Sequence, residues 1–174
     1  MLRIVFFVFM SAGIFYYSWP SLSDPRSHGF YRFFAFEAIL ILFLLNVSHW
    51  FDNILAVHQI ISWILLASSL ILVIHGLHLL RKIGEPEDSI EATTVLVRQG
   101  AYKYIRHPLY SSLLLLAWGI FFKEPSFWGG LLTMIATSAL VATAKVEEEE
   151  NLEKFGQAYA DNMKTTKRFI PFLY

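Results

Sequence analysis

Five apolar segments dominate this 174-residue chain and constrain its fold more than any other feature. They occupy residues 4–19, 30–51, 57–80, 109–122 and 127–144. A helix needs ~20 apolar residues to cross the hydrocarbon core of a bilayer, with a range of ~17–25. The first and fourth segments are short, so we expect them to recruit flanking aromatic residues or to tilt little. The pattern predicts an all-α, polytopic membrane helix bundle with about five transmembrane helices.

The composition agrees with a membrane protein and excludes several other classes. Hydrophobic residues make up 56% of the chain and charged residues 16%, whereas soluble domains carry about 25% charged residues. A net charge of zero gives no electrostatic support for a nucleic-acid partner. The absence of cysteine excludes disulfides and thiol chemistry and disfavours structural zinc, so we predict no metal site.

The distribution of Lys and Arg predicts the orientation of the bundle. If the carboxyl terminus is cytoplasmic, five crossings place the amino terminus outside. Only Arg3 and Lys123 then lie outside. The other twelve basic residues lie on the cytoplasmic side: Arg26, Arg32, Arg81, Lys82, Arg98, Lys103, Arg106, Lys145, Lys154, Lys164, Lys167 and Arg168.

Two polar blocks, residues 100–110 and 147–171, are predicted to meet on this cytoplasmic face, because two apolar segments between them return the chain to the side it left. Pro108 favours the first turn of a helix. Arg106 and His107 then lie beside free N–H groups that attract an anion or a carboxylate, and Tyr102, Tyr104 and Tyr110 can stack on a base. The same residue types are also typical of an interfacial anchor, and spacing alone does not decide between the two interpretations.

The second block is predicted to continue as an amphipathic cytoplasmic helix. Leu152, Phe155, Tyr159 and Met163 recur at helical spacing and form one apolar stripe. Such a helix can fold back over the cytoplasmic mouth of the bundle. Gly156 inside it costs about 1 kcal/mol relative to Ala and permits a bend.

Four consecutive glutamates, residues 147–150, open this block at the membrane boundary. A lone charge run is usually a solvated helix face. Here the glutamates lie opposite Arg106 and His107, and mutual repulsion favours a positive or hydrogen-bond-donating partner. A sulfonium, an ammonium or ribose hydroxyls would fit.

Together these residues resemble the integral-membrane methyltransferase superfamily, which includes the isoprenylcysteine carboxyl methyltransferases and the phospholipid N-methyltransferases. The resemblance covers about residues 95–171. It rests on Gly100, Tyr102, Arg106, His107, Pro108 and Tyr110, then on Glu147, Glu148, Leu152, Phe155, Gly156, Tyr159 and the Arg168-Phe-Ile-Pro171 run.

The resemblance implies a pocket for S-adenosylmethionine at the cytoplasmic surface. Its implied cofactor-binding residues are Tyr102, Arg106, His107, Pro108, Tyr110, Glu147 and Glu148. The two glutamates are chosen by their distance from Phe155 and Gly156. One departure is Asn162, where the family often has a second tyrosine. The arginine-histidine-proline-x-tyrosine loop also resembles the end of membrane sterol reductases, which use NADPH and are much longer chains.

Three ionisable residues within the apolar segments are further candidates for the site. Glu37, His75 and His78 all fall toward the cytoplasmic half in the predicted topology, so they could meet. Ionisable residues inside a membrane are costly and often functional, although a structural contact or snorkelling to the interface would also explain them. With Arg106 they are the candidate catalytic residues.

The sequence thus predicts an S-adenosylmethionine-dependent methyltransferase acting on a lipophilic acceptor at the cytoplasmic face. A prenylcysteine carboxylate, a lipid amine and an isoprenoid acid all qualify as acceptor. Residues 1–98 are expected to form the substrate side, and residues 99–174 the methyltransferase-like core. An NADPH-dependent reductase and a non-enzymatic membrane scaffold are the alternatives, and the oligomeric state is left open.

Overall fold

A computed structural model describes residues 1–85 and 93–171 of the protein. The middle of the polar sequence at residues 82–99, between the third and fourth apolar segments, therefore lies outside the described residues. The described part of the chain is helical, with short 3-10 turns at Val47–His49 and Gly100–Lys103. The helices are α1 (Leu2–Leu22), α2 (His28–Asn46), α3 (Val57–Ile83), α4 (Pro108–Phe121), α5 (Phe127–Phe155) and α6 (Gln157–Thr165).

Each predicted apolar segment forms one helix, which confirms the membrane helix bundle. Helices α1, α2, α3 and α5 are long and apolar enough to cross a bilayer. Helix α4 has only 14 residues and is therefore ~21 Å long. Serine side chains cap the amino-terminal ends of two helices. The Ser27 hydroxyl accepts from the N–H of Gly29 at the start of α2, and the Ser126 hydroxyl accepts from the N–H of Gly129 at the start of α5.

The bundle is built around α2, which packs against α1, α4 and α5, while α3 packs against α4. Its centre combines Leu42 with three alanines, Ala38, Ala117 and Ala136, all buried. Small residues let membrane helices approach closely. Polar bonds add to this contact: Ser62 and Ser69 of α3 donate to the carbonyls of Gly119 and Ser112 of α4, each at 2.7 Å.

Lys123 holds the end of the bundle that is predicted to face outside. Its side chain is fully buried, donates to the Gln59 amide oxygen at 3.1 Å, and lies 3.4 Å from the centroid of the Trp63 ring. The Gln59 amide in turn donates to the carbonyl of Lys123 at 2.9 Å. These contacts fix the α4–α5 turn against α3.

Gly156 makes the corner at the other end of the bundle. Helix α5 continues beyond its apolar part to Phe155, and α6 then starts after Gly156, whose φ is 56° and ψ is −131°. The predicted stripe from Leu152 to Met163 is therefore divided between two helices. The bend expected at Gly156 is confirmed.

Candidate functional site

The two polar blocks meet through a short backbone pairing that joins residues 104–107 to residues 167–168. The N–H of Lys167 donates to the carbonyl of Tyr104 at 3.0 Å, and the N–H of Arg106 donates to the carbonyl of Lys167 at 2.8 Å. The N–H of His107 donates to the carbonyl of Arg168 at 3.2 Å. The predicted convergence of the two blocks on one face is thus present in the fold.

Glu148 lies at the centre of this meeting point. Its carboxylate accepts from Nε of Arg106 at 2.7 Å and from a terminal nitrogen of Arg168 at 2.6 Å. Nε2 of His107 lies 3.4 Å from the same carboxylate. The Glu148 side chain is only 5% exposed, so the two guanidinium groups keep it ionised where burial alone would favour protonation.

Arg106 also extends beyond Glu148 to the carboxyl-terminal segment. A terminal nitrogen of its guanidinium donates to the carbonyl of Thr166 at 2.5 Å. The planar fork of arginine suits two such contacts at once. Arg106 therefore connects the start of α4 to both α5 and the chain after α6.

The four glutamates have different environments. Glu148 is buried, and Glu150 accepts from the His28 side chain at 2.6 Å and from its N–H at 3.2 Å. Glu149 is exposed. One oxygen of Glu147 lies 3.7 Å from Nδ1 of His107. The other is buried and accepts no hydrogen bond from the described residues.

A cleft with a cavity volume of about 60 Å³ opens beside this cluster. Helices α3 to α6 and both polar blocks contribute to its wall. The polar and aromatic lining residues are Thr93, Tyr102, Arg106, His107, Tyr110, Glu147, Asn151, Phe155, Tyr159 and Asn162, and the aliphatic ones are Leu80, Leu96, Val97 and Leu109.

Aromatic rings shape the wall of the cleft. The His107 imidazole stacks on Tyr110, with ring centroids 5.5 Å apart and an interplanar angle of 18°. Burial raises the pKa of Tyr159 above its ordinary value, and the nearby charge of Glu148 raises it further. The Tyr159 phenol therefore stays protonated and can donate a hydrogen bond into the cleft.

Five of the predicted cofactor-binding residues line this cleft: Tyr102, Arg106, His107, Tyr110 and Glu147. The other two lie behind its wall. Pro108 begins α4, as expected, with His107 immediately before the helix. Glu148 holds Arg106 and Arg168.

The three intramembrane candidates lie elsewhere, and none lines the cleft. Glu37 accepts from the Ser11 hydroxyl of α1 at 2.8 Å. His75 accepts from the N–H of Ala101 at 3.3 Å and lies against Gly100, whose φ is 56° and whose missing Cβ leaves room for the imidazole. His78 is exposed near the end of α3. Glu37 therefore contacts α1, whereas His75 contacts the loop at residues 100–101.

Arg168, Asn151 and Asn162 were not among the predicted site residues. Arg168 belongs to the Arg168-Phe-Ile-Pro171 run, on which the family resemblance partly rests. Because Arg168 is far from the glutamates in the sequence, the sequence did not indicate a direct ion pair. Asn151 and Asn162 belong to the two helices on either side of Gly156. The corner at Gly156 brings both asparagines to one cleft, which a continuous helical stripe would not have predicted.

One comparison with known proteins identifies the family of the chain. A sequence model described as phospholipid methyltransferase matches residues 57–158, which is more than half of the chain. The match starts at α3, earlier than the resemblance seen in the sequence, and ends just after the α5–α6 corner. Neither a curated protein nor a solved structure matches the chain. The chain therefore belongs to the phospholipid methyltransferase family and is a membrane methyltransferase.

Proposed function

We propose that the chain transfers a methyl group from S-adenosylmethionine to a lipid acceptor at the cytoplasmic membrane face. The observation that carries the proposal is the cleft that Arg106 and His107 of the first polar block and Glu147 of the second line together. The family match supports methyl transfer, and the cleft supports the choice of cofactor. Glu37, His75 and His78 have no direct role in this proposal.

The chemistry of the cleft wall fits this cofactor, which carries a sulfonium, an ammonium, a ribose and an adenine. The buried, unpartnered oxygen of Glu147 suits a cation or a hydroxyl, because a carboxylate oxygen without a donor is costly to bury. Asn151 and Asn162 offer both donors and acceptors. The rings of Tyr102 and Phe155 offer flat apolar surface to a base.

When bound, the cofactor supplies a methyl group whose bond to sulfur breaks as the bond to the acceptor forms, and sulfur keeps the electron pair. The protein has to align the two partners and exclude water. A carboxylate acceptor needs no base, whereas an amine has to release a proton. We assign that proton to the imidazole of His107, because this buried ring lines the cleft.

The two alternatives have less support. A reductase needs free cations for the 2′-phosphate of NADPH. Of the three basic residues near the loop, Arg106 is paired with Glu148 and Arg98 donates to the carbonyl of Ala158, which leaves the exposed Lys103. A scaffold would need neither the cleft nor the buried charge cluster. We retain the predicted topology, with the amino terminus outside and with residues 1–98 contributing α3 to the substrate side.

A transfer assay tests the proposal directly. Purified protein is incubated with S-adenosylmethionine carrying a tritiated methyl group and with a total lipid extract, and the organic phase is counted. We expect label in the lipid fraction from the wild type and from Glu149→Gln, which changes an exposed glutamate. An absence of label from folded protein, or oxidation of NADPH instead, would contradict the proposal.

A further inference from the structure

A large apolar groove lies on a different face of α4 from the cofactor cleft. It has a volume of about 870 Å³ and is bounded by α3, α4 and α5. Its lining includes Leu72 of α3, Leu114 and Trp118 of α4, and Val141 of α5. In a membrane-spanning bundle this groove opens sideways to the hydrocarbon of the bilayer.

The groove follows most of the length of α4. It extends from Ser111 to Phe122, twelve residues that span ~16 Å at the helical rise of ~1.5 Å per residue. Trp118 and Phe122, with ring centroids 6.2 Å apart, lie together at the far end.

The near end of the groove is covered by the segments that also build the cofactor cleft. Tyr104, Ile105 and Phe169 line it there, and Arg106 and His107 come next in the chain. The ring centroids of Phe169 and His107 are 6.2 Å apart. The Ser111 hydroxyl donates to the carbonyl of Phe169 at 2.9 Å, which holds this cover in place. About the width of one aromatic ring therefore separates the end of the groove from the cofactor cleft.

A second apolar groove of about 450 Å³ lies between α1, α2 and α4 and serves as a comparison. Phe36, Leu116 and Ile120 are among its lining residues, and it contains no residue from 100–110 or from the carboxyl-terminal segment. A lipid there would have no contact with the cofactor loop. Apolar lining is therefore common in this bundle, whereas continuity with the cofactor site distinguishes the groove between α3, α4 and α5.

We propose that this groove holds one hydrocarbon chain of the methyl acceptor, taken from the cytoplasmic leaflet. Its headgroup then lies at the Phe169 end, beside the His107 wall of the cofactor cleft. This inference rests on the proposed methyl transfer and adds to it the place where the acceptor chain binds. It makes Leu114, Trp118 and Val141 contact residues for the acceptor chain.

Photo-crosslinking tests the inference. The probe is phosphatidylethanolamine with a diazirine near the end of one acyl chain, reconstituted with the full-length protein in liposomes. We expect adducts at Trp118 and Phe122. Leu114→Trp fills the groove and is expected to reduce these adducts about tenfold, and Val141→Phe narrows the groove from α5 with the same effect. Leu131→Trp, on an exposed part of α5 outside the groove, should leave them unchanged.

Calorimetry with S-adenosylhomocysteine on the same proteins separates the two proposals. Equal affinity in the wild type and Leu114→Trp, with adducts lost in the variant, supports the groove beside an intact cofactor cleft. Binding of S-adenosylhomocysteine with adducts spread evenly over the lipid-facing helices overturns the groove alone. Adducts at Trp118 without any binding overturn the proposed function, and with it the identity of the occupant as acceptor.

Discussion

Glu148 joins three separate parts of the chain through its two carboxylate oxygens. It extends from α5, and its partners Arg106 and Arg168 precede α4 and follow α6. Burying three charges is costly, and such a cluster is stable only while each charge keeps its partner. Glu148 therefore organises the cofactor cleft although it does not line it.

Glu148→Gln is expected to destabilise the protein by about 3 kcal/mol, because it leaves two guanidinium groups buried beside a neutral amide. The affinity for S-adenosylhomocysteine should fall with it, since Arg106 lines the cleft. Thermal unfolding in detergent and calorimetry measure the two effects. Glu149→Gln removes the same charge from the exposed neighbour and should change neither. Equal behaviour of the two variants would refute the central role of Glu148.

At the scale of elements, the corner between α5 and α6 places Tyr159 and Asn162 over the cleft. Gly156 makes this corner with φ 56° and ψ −131°, a region of backbone space that only glycine occupies easily. No atom lies within 4 Å of the position that its Cβ would take. The strain in any substitution there would therefore come from the backbone alone.

Gly156→Ala is expected to cost about 1–3 kcal/mol of stability and to weaken binding of S-adenosylhomocysteine by shifting α6. Gly13→Ala is the matched control, because Gly13 also has open space around it but lies inside α1. The control should be neutral or slightly stabilising, since Ala favours a helix over Gly. A Gly156→Ala protein as stable as the control would contradict the assigned strain.

The elements themselves were predictable because each apolar segment carries its own signal. Hydropathy located α1 to α5, and Pro108 located the start of α4. The pairing of residues 104–107 with 167–168 was not predictable, because two irregular segments far apart in the chain have no periodic pattern. The ion pair of Arg168 with Glu148 depends on that pairing. The contact of His75 with Ala101 was not predictable either, because it depends on how the loop returns to α3.

At the scale of the whole molecule, the contacts described so far place both polar blocks and the His28–Glu150 pair at one end of the bundle. The Lys123 cluster lies at the other end of α4. This arrangement agrees with the predicted distribution of basic residues across the membrane. The orientation of the two ends relative to the cytoplasm remains a prediction.

Cysteine labelling tests that orientation cleanly, because the chain has no cysteine of its own. Lys103→Cys and Glu124→Cys each introduce one thiol at an exposed position, at opposite ends of α4. In intact cells a membrane-impermeant maleimide should label Glu124→Cys only, and it should label Lys103→Cys only after permeabilisation. The reverse pattern would place the cleft on the outer face and contradict a cytoplasmic site.

The most direct test of the account is a calorimetric titration of the purified wild-type protein with S-adenosylhomocysteine, with NADPH as the control ligand. We expect saturable binding of S-adenosylhomocysteine near one molecule per chain and no heat from NADPH. Binding of NADPH alone, or of neither ligand by a protein shown to be folded, would contradict the assignment of the cleft between the two polar blocks as a methyl-donor site.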